Sequence, residues 1–330
     1  MPDRETRAVV VTAHGGTEVL EVQSRTVSPP GPGQLQVRVA ASGINFIDVY
    51  QRTGTYPTTP PFVLGSEGAG EVISVGVDVE GFAVGDVVAW ASTPGSQCGV
   101  VNARADAVVP VPDGVPADIA AAVLLQGMTA HYLVTSTYPV QPGDTVLVHA
   151  AAGGIGQLLV QAAKSRGAVV FGTVSTAAKQ AKAEQAGADE VIRYDQVDDL
   201  AAEVRRRNGD RGVSVVYDSV GRTTFEASLA SLAPRRMLVL FGASSGQVPP
   251  FDPQRLNPAG SLFLTRPTLA HYTATRDELM WRGGETLSAV RDGALRVEVG
   301  GRYPFGGVRQ AYDDLESRRT TGKLLLIPED

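Results

Sequence analysis

The chain has 330 residues, 43% of them hydrophobic and 19% charged, with a net charge of −6 at pH 7. That length holds about two domains with ample core for each, and the composition is that of an ordinary globular protein. The acidic balance gives no support to a general role on nucleic acid or on an acidic membrane. Cys98 is the single cysteine, so no intramolecular disulfide is expected, which fits a reducing cytosol. The segment Met1–Arg7 is too polar to open a signal peptide, and no run approaches the length of a membrane span.

Residues 6–125 read as β-rich. Arg7–Thr12 and Leu35–Ala40 are short strands, the second alternating apolar and polar residues. Ser28-Pro-Pro-Gly-Pro-Gly33 is a turn or loop. Gly70–Gly76 and Val84–Trp90 continue the pattern, with Gly and Pro spaced as in a small β-barrel. Pro116–Tyr132 then reads as a helix opening after Asp113-Gly114.

After Thr145 the period changes. Strand Thr145–His149 runs through a small-residue turn into helix Gln157–Lys164. Strand Val169–Val174 precedes helix Thr176–Ala186, strand Glu190–Tyr194 precedes helix Val197–Arg207, and strand Val213–Asp218 precedes helix Thr223–Leu232. Strands Met237–Phe241 and Ser261–Thr265 follow. Alternating strands and helices give a parallel sheet with crossovers. That sheet starts almost halfway along the chain, so a separate domain precedes it. Helix Arg276–Asp292, strand Arg296–Val299 and the end Lys323–Pro328 are expected to return and complete that first domain.

The turn is the most informative stretch. His149-Ala-Ala-Ala-Gly-Gly-Ile-Gly156 places Ala151, Gly153 and Gly156 at the three glycine positions of a dinucleotide fingerprint. Small residues let a pyrophosphate approach the backbone, and a helix N-terminus suits an anion. The bland alternative is a tight strand-to-helix turn without a ligand. A carboxylate at the end of the second strand would bond the ribose of NAD and repel a 2′-phosphate. Here that strand ends Gly172-Thr-Val-Ser-Thr176, with no acid before Glu184. The hydroxyls of Ser175 and Thr176, with Lys179 close by, favour NADP. The alternative is that Ser175 only caps the helix and Lys179 is a solvated surface lysine.

In the first domain, Asn45-Phe-Ile-Asp-Val-Tyr50 gathers an amide, a carboxylate and a phenol. Gly54-Thr-Tyr-Pro57 and Gly65-Ser-Glu-Gly-Ala-Gly70 follow. Further along stand Tyr217-Asp-Ser-Val-Gly221, Phe241-Gly-Ala-Ser-Ser-Gly246, Thr265-Arg-Pro267 and Leu315-Glu-Ser-Arg318. In order and spacing, these motifs resemble the zeta-crystallin-like NADPH:quinone oxidoreductases. That family is a zinc-independent branch of the medium-chain dehydrogenase/reductase superfamily. The resemblance covers essentially the whole chain. It implies an α/β protein with a GroES-like β-rich catalytic domain, residues 1–125 and 268–330. The remainder, residues 126–267, would be a Rossmann domain with a doubly wound parallel sheet that binds NADPH.

The zinc-dependent relatives have a Cys where this chain has Asn45, and a His where it has Ser66 within Gly65-Ser66-Glu67. Their structural zinc lobe needs four cysteines. No metal is therefore expected. Without a Lewis acid, oxidation of simple alcohols is disfavoured, and an electrophilic acceptor such as a quinone or an activated alkene suits the site.

The resemblance also implies residue roles. Asn45, Asp48 and Tyr50 would be catalytic, near the nicotinamide, with Tyr50 and Tyr56 lining the acceptor site. Gly153, Gly154 and Ile155 would meet the pyrophosphate. Ser175, Thr176 and Lys179 would hold the 2′-phosphate, with Tyr194 beside the adenosine. Tyr132, Ser219, Phe241, Gly242, Ser244, Thr265, Arg266 and Arg318 would complete cofactor binding, Asn45 among them. Each has a plainer alternative: Asn45 closes a turn, Asp48 caps the next helix, Tyr56 packs over a loop. His149 reads as a satisfied core histidine and Cys98 as inert.

The expected function is NADPH-dependent quinone reduction in the cytoplasm; the resemblance also implies a homodimer pairing through the last strand of the cofactor sheet, here Ser261–Thr265. The rivals are an enone or alkenal reductase and a non-enzymatic RNA-binding or crystallin-like structural role. No nucleic acid or membrane partner is expected.

Overall fold

The computed structural model describes residues 2–317 and 319–329. They belong to two compact units, residues 1–128 with 273–330, and residues 129–272. The chain opens with β1 (Arg4–Val11), β2 (Leu20–Val27) and β3 (Gln34–Gly43). Helix α1 (Phe46–Arg52) follows, then β4 (Phe62–Val63), β5 (Glu67–Val75), β6 (Val87–Trp90), β7 (Val100–Arg104) and β8 (Val108–Pro110). Helix α2 (Ala117–Tyr132) carries the chain out of this unit.

The second unit holds β9 (Thr145–Val148), α3 (Gly154–Ser165), β10 (Val169–Val174), α4 (Ala177–Gln185), β11 (Glu190–Arg193) and α5 (Leu200–Arg207). It continues with β12 (Val213–Asp218), α6 (Phe225–Ser231), β13 (Leu232–Leu240), β14 (Phe263–Thr265) and α7 (Leu269–Tyr272). The chain then returns to the first unit as α8 (Arg276–Arg291), β15 (Val299–Pro304), α9 (Val308–Glu316) and β16 (Lys323–Ile327).

In the first unit β1 lies between β2 and β4. The larger sheet is ordered β15-β16-β3-β5-β6-β8, and β7 also pairs with β3. Strand β3 is its hub. One edge pairs with β5. The other is shared, with β7 opposite Gln34–Arg38 and β16 opposite Ser42 and Gly43. Gly43 therefore faces Glu67 across one ladder and Leu325 across the other. The alternating side chains Leu35, Val37 and Val39 pack with Val72, Val88, Trp90 and Val101. Trp90 is fully buried, and its indole N–H donates to Ser96 Oγ at 2.7 Å, as a buried indole requires.

The second unit is a parallel sheet in the order β11-β10-β9-β12-β13-β14. Its first strand, β9, lies between β10 and β12, so the winding reverses there and a crevice opens at the carboxyl ends of the strands. Leu147, Phe171, Ile192, Val204, Val216, Phe225 and Leu238 form its core.

Several boundaries differ from the sequence expectation. Helix α5 starts at Leu200 because Asp199 Oδ1 accepts from the Ala202 N–H at 3.0 Å. That cap outweighs the apolar pattern from Val197. Strand β15 begins at Val299, where Arg296–Val299 was expected. Its partner is β16 in parallel, a long-range pairing that local alternation does not report. Helix α2 runs on through a π-helical turn, Leu133–Thr137. The resulting 21-residue stretch Ala117–Thr137 does have the length and composition of a membrane span, contrary to the expectation that no run does. Its apolar stretch is 67% buried inside the protein, and Ala120–Leu124 are fully inaccessible. Apolar surface all round marks a core helix as readily as a spanning one.

Candidate active site

The second unit supplies a strand-to-helix turn with uncapped amides. His149, after β9, is buried with its ring between Thr173 Oγ1 and Ser228 Oγ, each at 2.9 Å. Ser228 Oγ donates its one proton to Asp218 Oδ2 at 2.7 Å. The network therefore assigns the His149 proton to Nε2, with Nδ1 accepting from Thr173. Burial lowers the His149 pKa. This is a neutral histidine clamping two strands and a helix.

Ala150 follows in the left-handed region with φ 52. The Ala151 N–H donates to Thr173 O at 3.1 Å. A Cβ placed on Gly172 would lie only 2.8 Å from the Ala151 methyl. The departure from three glycines thus has a physical reason: the missing space at Ala151 is provided by Gly172 on the neighbouring strand. Gly153 is the N-cap of α3 and has no side chain to satisfy the first amides. These N–H groups and the dipole end, with Gly154 and Ile155 half-buried in the first turn, have the chemistry that suits an anion.

At the end of β10, Thr176 caps α4 by accepting from the Lys179 N–H at 3.3 Å. The cap is Thr176, not Ser175. Lys179 Nζ reaches Ser175 Oγ at 3.4 Å. A hydroxyl and an ammonium therefore stand together beside a strand end that carries no carboxylate. Tyr194 is 47% exposed at the end of the next strand.

Ser219 follows β12, and Phe241, Gly242 and Ser244 follow β13. The Ser244 N–H donates to Ser219 O at 3.2 Å. A Cβ on Gly242 would fall 2.8 Å from Ser219 Cα, so these two loops touch backbone to backbone. Thr265 ends β14, and Arg266 Nη1 donates to Leu240 O at 3.1 Å. Tyr132 is fully buried and stacks on Tyr272 with centroids 4.2 Å apart. Arg318 lies outside the described residues.

The first unit supplies a polar cluster around α1. Asn45 and Asp48 form a capping box, in which Asp48 Oδ2 accepts from the Asn45 N–H at 2.8 Å. The Tyr312 hydroxyl donates to the same oxygen at 3.1 Å, and itself accepts from Gln97 Nε2 at 2.6 Å. Asp48 Oδ1 is buried with no partner. The capping reading of Asp48 is therefore met, and it leaves one oxygen spare. The rings of Tyr50 and Tyr56 lie 5.2 Å apart, and Tyr56 is 38% exposed. Tyr50 lies in the helix that Asn45 and Asp48 cap, and Tyr56 follows that helix.

Sequence reasoning missed Glu67 and Lys323 as members of this cluster. Lys323 Nζ donates to Asn45 Oδ1 and Glu67 Oε2, each at 2.6 Å. Asn45 Nδ2 donates to Glu67 Oε2 at 2.8 Å, and the Leu125 N–H to Glu67 Oε1 at 2.7 Å. Gly43 makes the room, since a Cβ there would lie 2.8 Å from the Glu67 carboxyl carbon. One signal was available: Lys323 is the single charge at the head of Lys-Leu-Leu-Leu-Ile327, an apolar strand.

Burial is the main cause of a pKa of about 7 for Asp48, up from 3.8. The Asn45 N–H, Lys323 and Tyr312 pull the other way and Glu67 adds to the rise. The folded protein thus holds a proton that the unfolded chain has lost, and stability falls as pH climbs from about 4 to about 7. Asp48→Asn keeps an acceptor for the Asn45 N–H and cannot ionise. Its gain in melting temperature is expected to be larger at about pH 8 than at about pH 5, read by thermal denaturation. Equal shifts at both would assign the slope to other groups.

Residues 31–142 match the alcohol dehydrogenase GroES-like domain, and residues 154–280 the zinc-binding dehydrogenase family. A quinone oxidoreductase of Pseudomonas aeruginosa is 42% identical over 324 residues, 98% of this chain and 99% of that one. The chain belongs to the quinone oxidoreductases of the medium-chain dehydrogenase/reductase superfamily. The crystal structure of the Escherichia coli quinone oxidoreductase complexed with NADPH superposes with a TM-score of 0.95. It shares 42% identity and covers 98% of this chain and 100% of that chain. A 2-haloacrylate reductase of Burkholderia sp is 38% identical over 98% of this chain and 99% of its own. In this quinone oxidoreductase the β-rich unit is the GroES-like one and the parallel sheet the Rossmann-type one.

The second family model is named for zinc, and the residues here do not fit zinc. Among the described residues, no group of three or more His, Cys, Asp or Glu side chains is placed to hold a metal ion. Between Asn45 and Glu67 the protein places its own cation, the Lys323 ammonium. A divalent ion would have to displace it.

Proposed function

We propose that this protein reduces quinones with NADPH and without a metal ion, in the cytoplasm and as a homodimer. The near-full-length likeness to quinone oxidoreductases carries the reading. The turn after β9 fits the cofactor independently: a Cβ on Gly156 would fall 2.9 Å from Ala151 Cα, so the turn is closed tightly where a pyrophosphate would lie. The amides of Gly153, Gly154 and Ile155 would hold that pyrophosphate. Ser175, Thr176 and Lys179 would hold the 2′-phosphate, which no carboxylate opposes there, with Tyr194 beside the adenosine. The loops bearing Ser219, Phe241, Gly242 and Ser244, and the strand end at Thr265 and Arg266, stand at the carboxyl edge where such sheets bind ligands.

When bound, NADPH supplies the hydride. The quinone gains that hydride and one proton and leaves as the hydroquinone. Tyr50 and Tyr56, whose rings are tilted 56° to each other, would offer apolar faces with polar tips to the acceptor ring. Asn45 and Tyr50 would supply hydrogen bonds to the reduced oxygen, with Tyr50 the candidate proton donor. The edge position of β14, where Phe263 is 57% exposed, supports pairing with a second copy there. The lone cysteine, buried Cys98, supports a reducing compartment.

The likeness to a 2-haloacrylate reductase favours a second reading, reduction of activated alkenes in the same site. Steady-state oxidation of NADPH and NADH with a quinone panel and an enone panel tests both. Higher kcat/KM with NADPH and quinones is expected. Higher efficiency with enones would move the assignment to the alkene reading, and equal use of NADH would remove the role given to Ser175 and Lys179.

A further inference from the structure

We propose that Lys323 is a positioning residue for the reduction: its ammonium, fixed between Asn45 Oδ1 and Glu67 Oε2, sets the orientation of the Asn45 amide. The proposal rests on the functional reading above, in which Asn45 faces the acceptor.

The geometry is over-determined. Lys323 and Glu67 side chains are 1% and 0% exposed, with Nζ 2.6 Å from Oε2. An ammonium only donates and a carboxylate only accepts. Asn45 must therefore turn Oδ1 to Lys323 and Nδ2 to Glu67, and a flipped amide would lose both bonds. The remaining Nδ2 hydrogen goes to Gly43 O at 3.3 Å, a long bond. Of the three contacts that this amide makes with Lys323, Glu67 and Gly43 it is the longest, so it is the hydrogen available to an acceptor oxygen.

Stability alone does not account for the arrangement. A buried ion pair is often matched or bettered by apolar side chains of similar volume, and the three residues after Lys323 are buried leucines. Hydride addition to a quinone puts negative charge on its oxygen. A donor held in place beforehand stabilises such charge without reorganisation; because the Glu67 carboxylate on Nδ2 offsets the ammonium on Oδ1, the contribution of Lys323 is the fixed orientation of the amide.

Three variants test this by melting temperature, NADPH Kd and kcat with a quinone. Lys323→Met leaves Glu67 buried and unpaired, so it is expected to melt well below wild type. The double variant Lys323→Met/Glu67→Gln removes both charges. It is expected to regain most of the melting temperature and bind NADPH as wild type does, while kcat stays about 100-fold down because the amide is no longer held. Lys323→Arg keeps the charge but not the compact reach; it should stay folded with a lowered melting temperature, as overpacking brings, and lose about tenfold in kcat. Restored kcat in a well-folded double variant, or unchanged kcat in Lys323→Arg, overturns the proposal. The wild type in the same assays separates the two levels. If it is inert toward every quinone and enone, the functional reading falls and the proposal with it. If it is active and the double variant equally so, the proposal falls alone.

Discussion

Gly156→Ala is expected to raise the NADPH Kd by about 100-fold or more while the protein stays folded. The added methyl would press on the carbonyl oxygen of Ala150 and lie 2.9 Å from the Cα and the carbonyl carbon of Ala151. None of these is the tip of a flexible side chain, so the backbone must move. It has little freedom to do so. Ala150 already sits at φ 52, a conformation costing an alanine about 1–2 kcal/mol. The Ala151 amide is tied to Thr173 and the His149 ring to Thr173 and Ser228. The movement therefore passes into the first turn of α3, whose amides are the proposed pyrophosphate donors. Overpacking of this kind costs about 1–3 kcal/mol, which a domain of this size tolerates. Calorimetric titration with NADPH reads the outcome, and a wild-type Kd in the variant would mean the pyrophosphate lies elsewhere.

Glu67→Ala is expected to cost about 3–5 kcal/mol of stability, the range for breaking a buried ion pair from one side. The carboxylate receives the Lys323 ammonium, the Asn45 amide and the Leu125 N–H. Removing it takes an acceptor from three donors, one of them charged and buried, and leaves the ammonium without a counter-charge. Adding Lys323→Met to Glu67→Ala should recover part of the loss, because the uncompensated ammonium goes with it. Urea denaturation of the two variants measures this. A loss below about 1 kcal/mol for Glu67→Ala would show that the donors find other acceptors.

Much of this was legible in the chain because it is local. The Rossmann-type unit announces itself by alternating strands and helices, and each period fits within a few turns of sequence. The turn at 149–156 and the hydroxyls of Ser175 and Thr176 are local as well. So is the capping box of Asn45 and Asp48, three residues apart. The Glu67–Lys323 pair was not legible, since its partners are separated by 256 positions. Only the pairing of β3 with both β5 and β16 brings them together at the end of β3. The start of β15 was missed for the same reason: its ladder is made with a strand more than twenty residues away. The length of α2 was misjudged in the other direction. The eye stops at Tyr132, whereas the backbone continues through Leu133–Thr137 with a wider hydrogen-bonding pattern.

The contact between Ala151 and Gly172 has a consequence for how nucleotide turns are recognised. The space needed is a volume shared by two adjacent strands, and it can be vacated from either side. A pattern written along one strand records only one of the two ways of emptying it. The fingerprint of this turn is better written across the ladder, with Ala151 and Gly172 counted as a single small site.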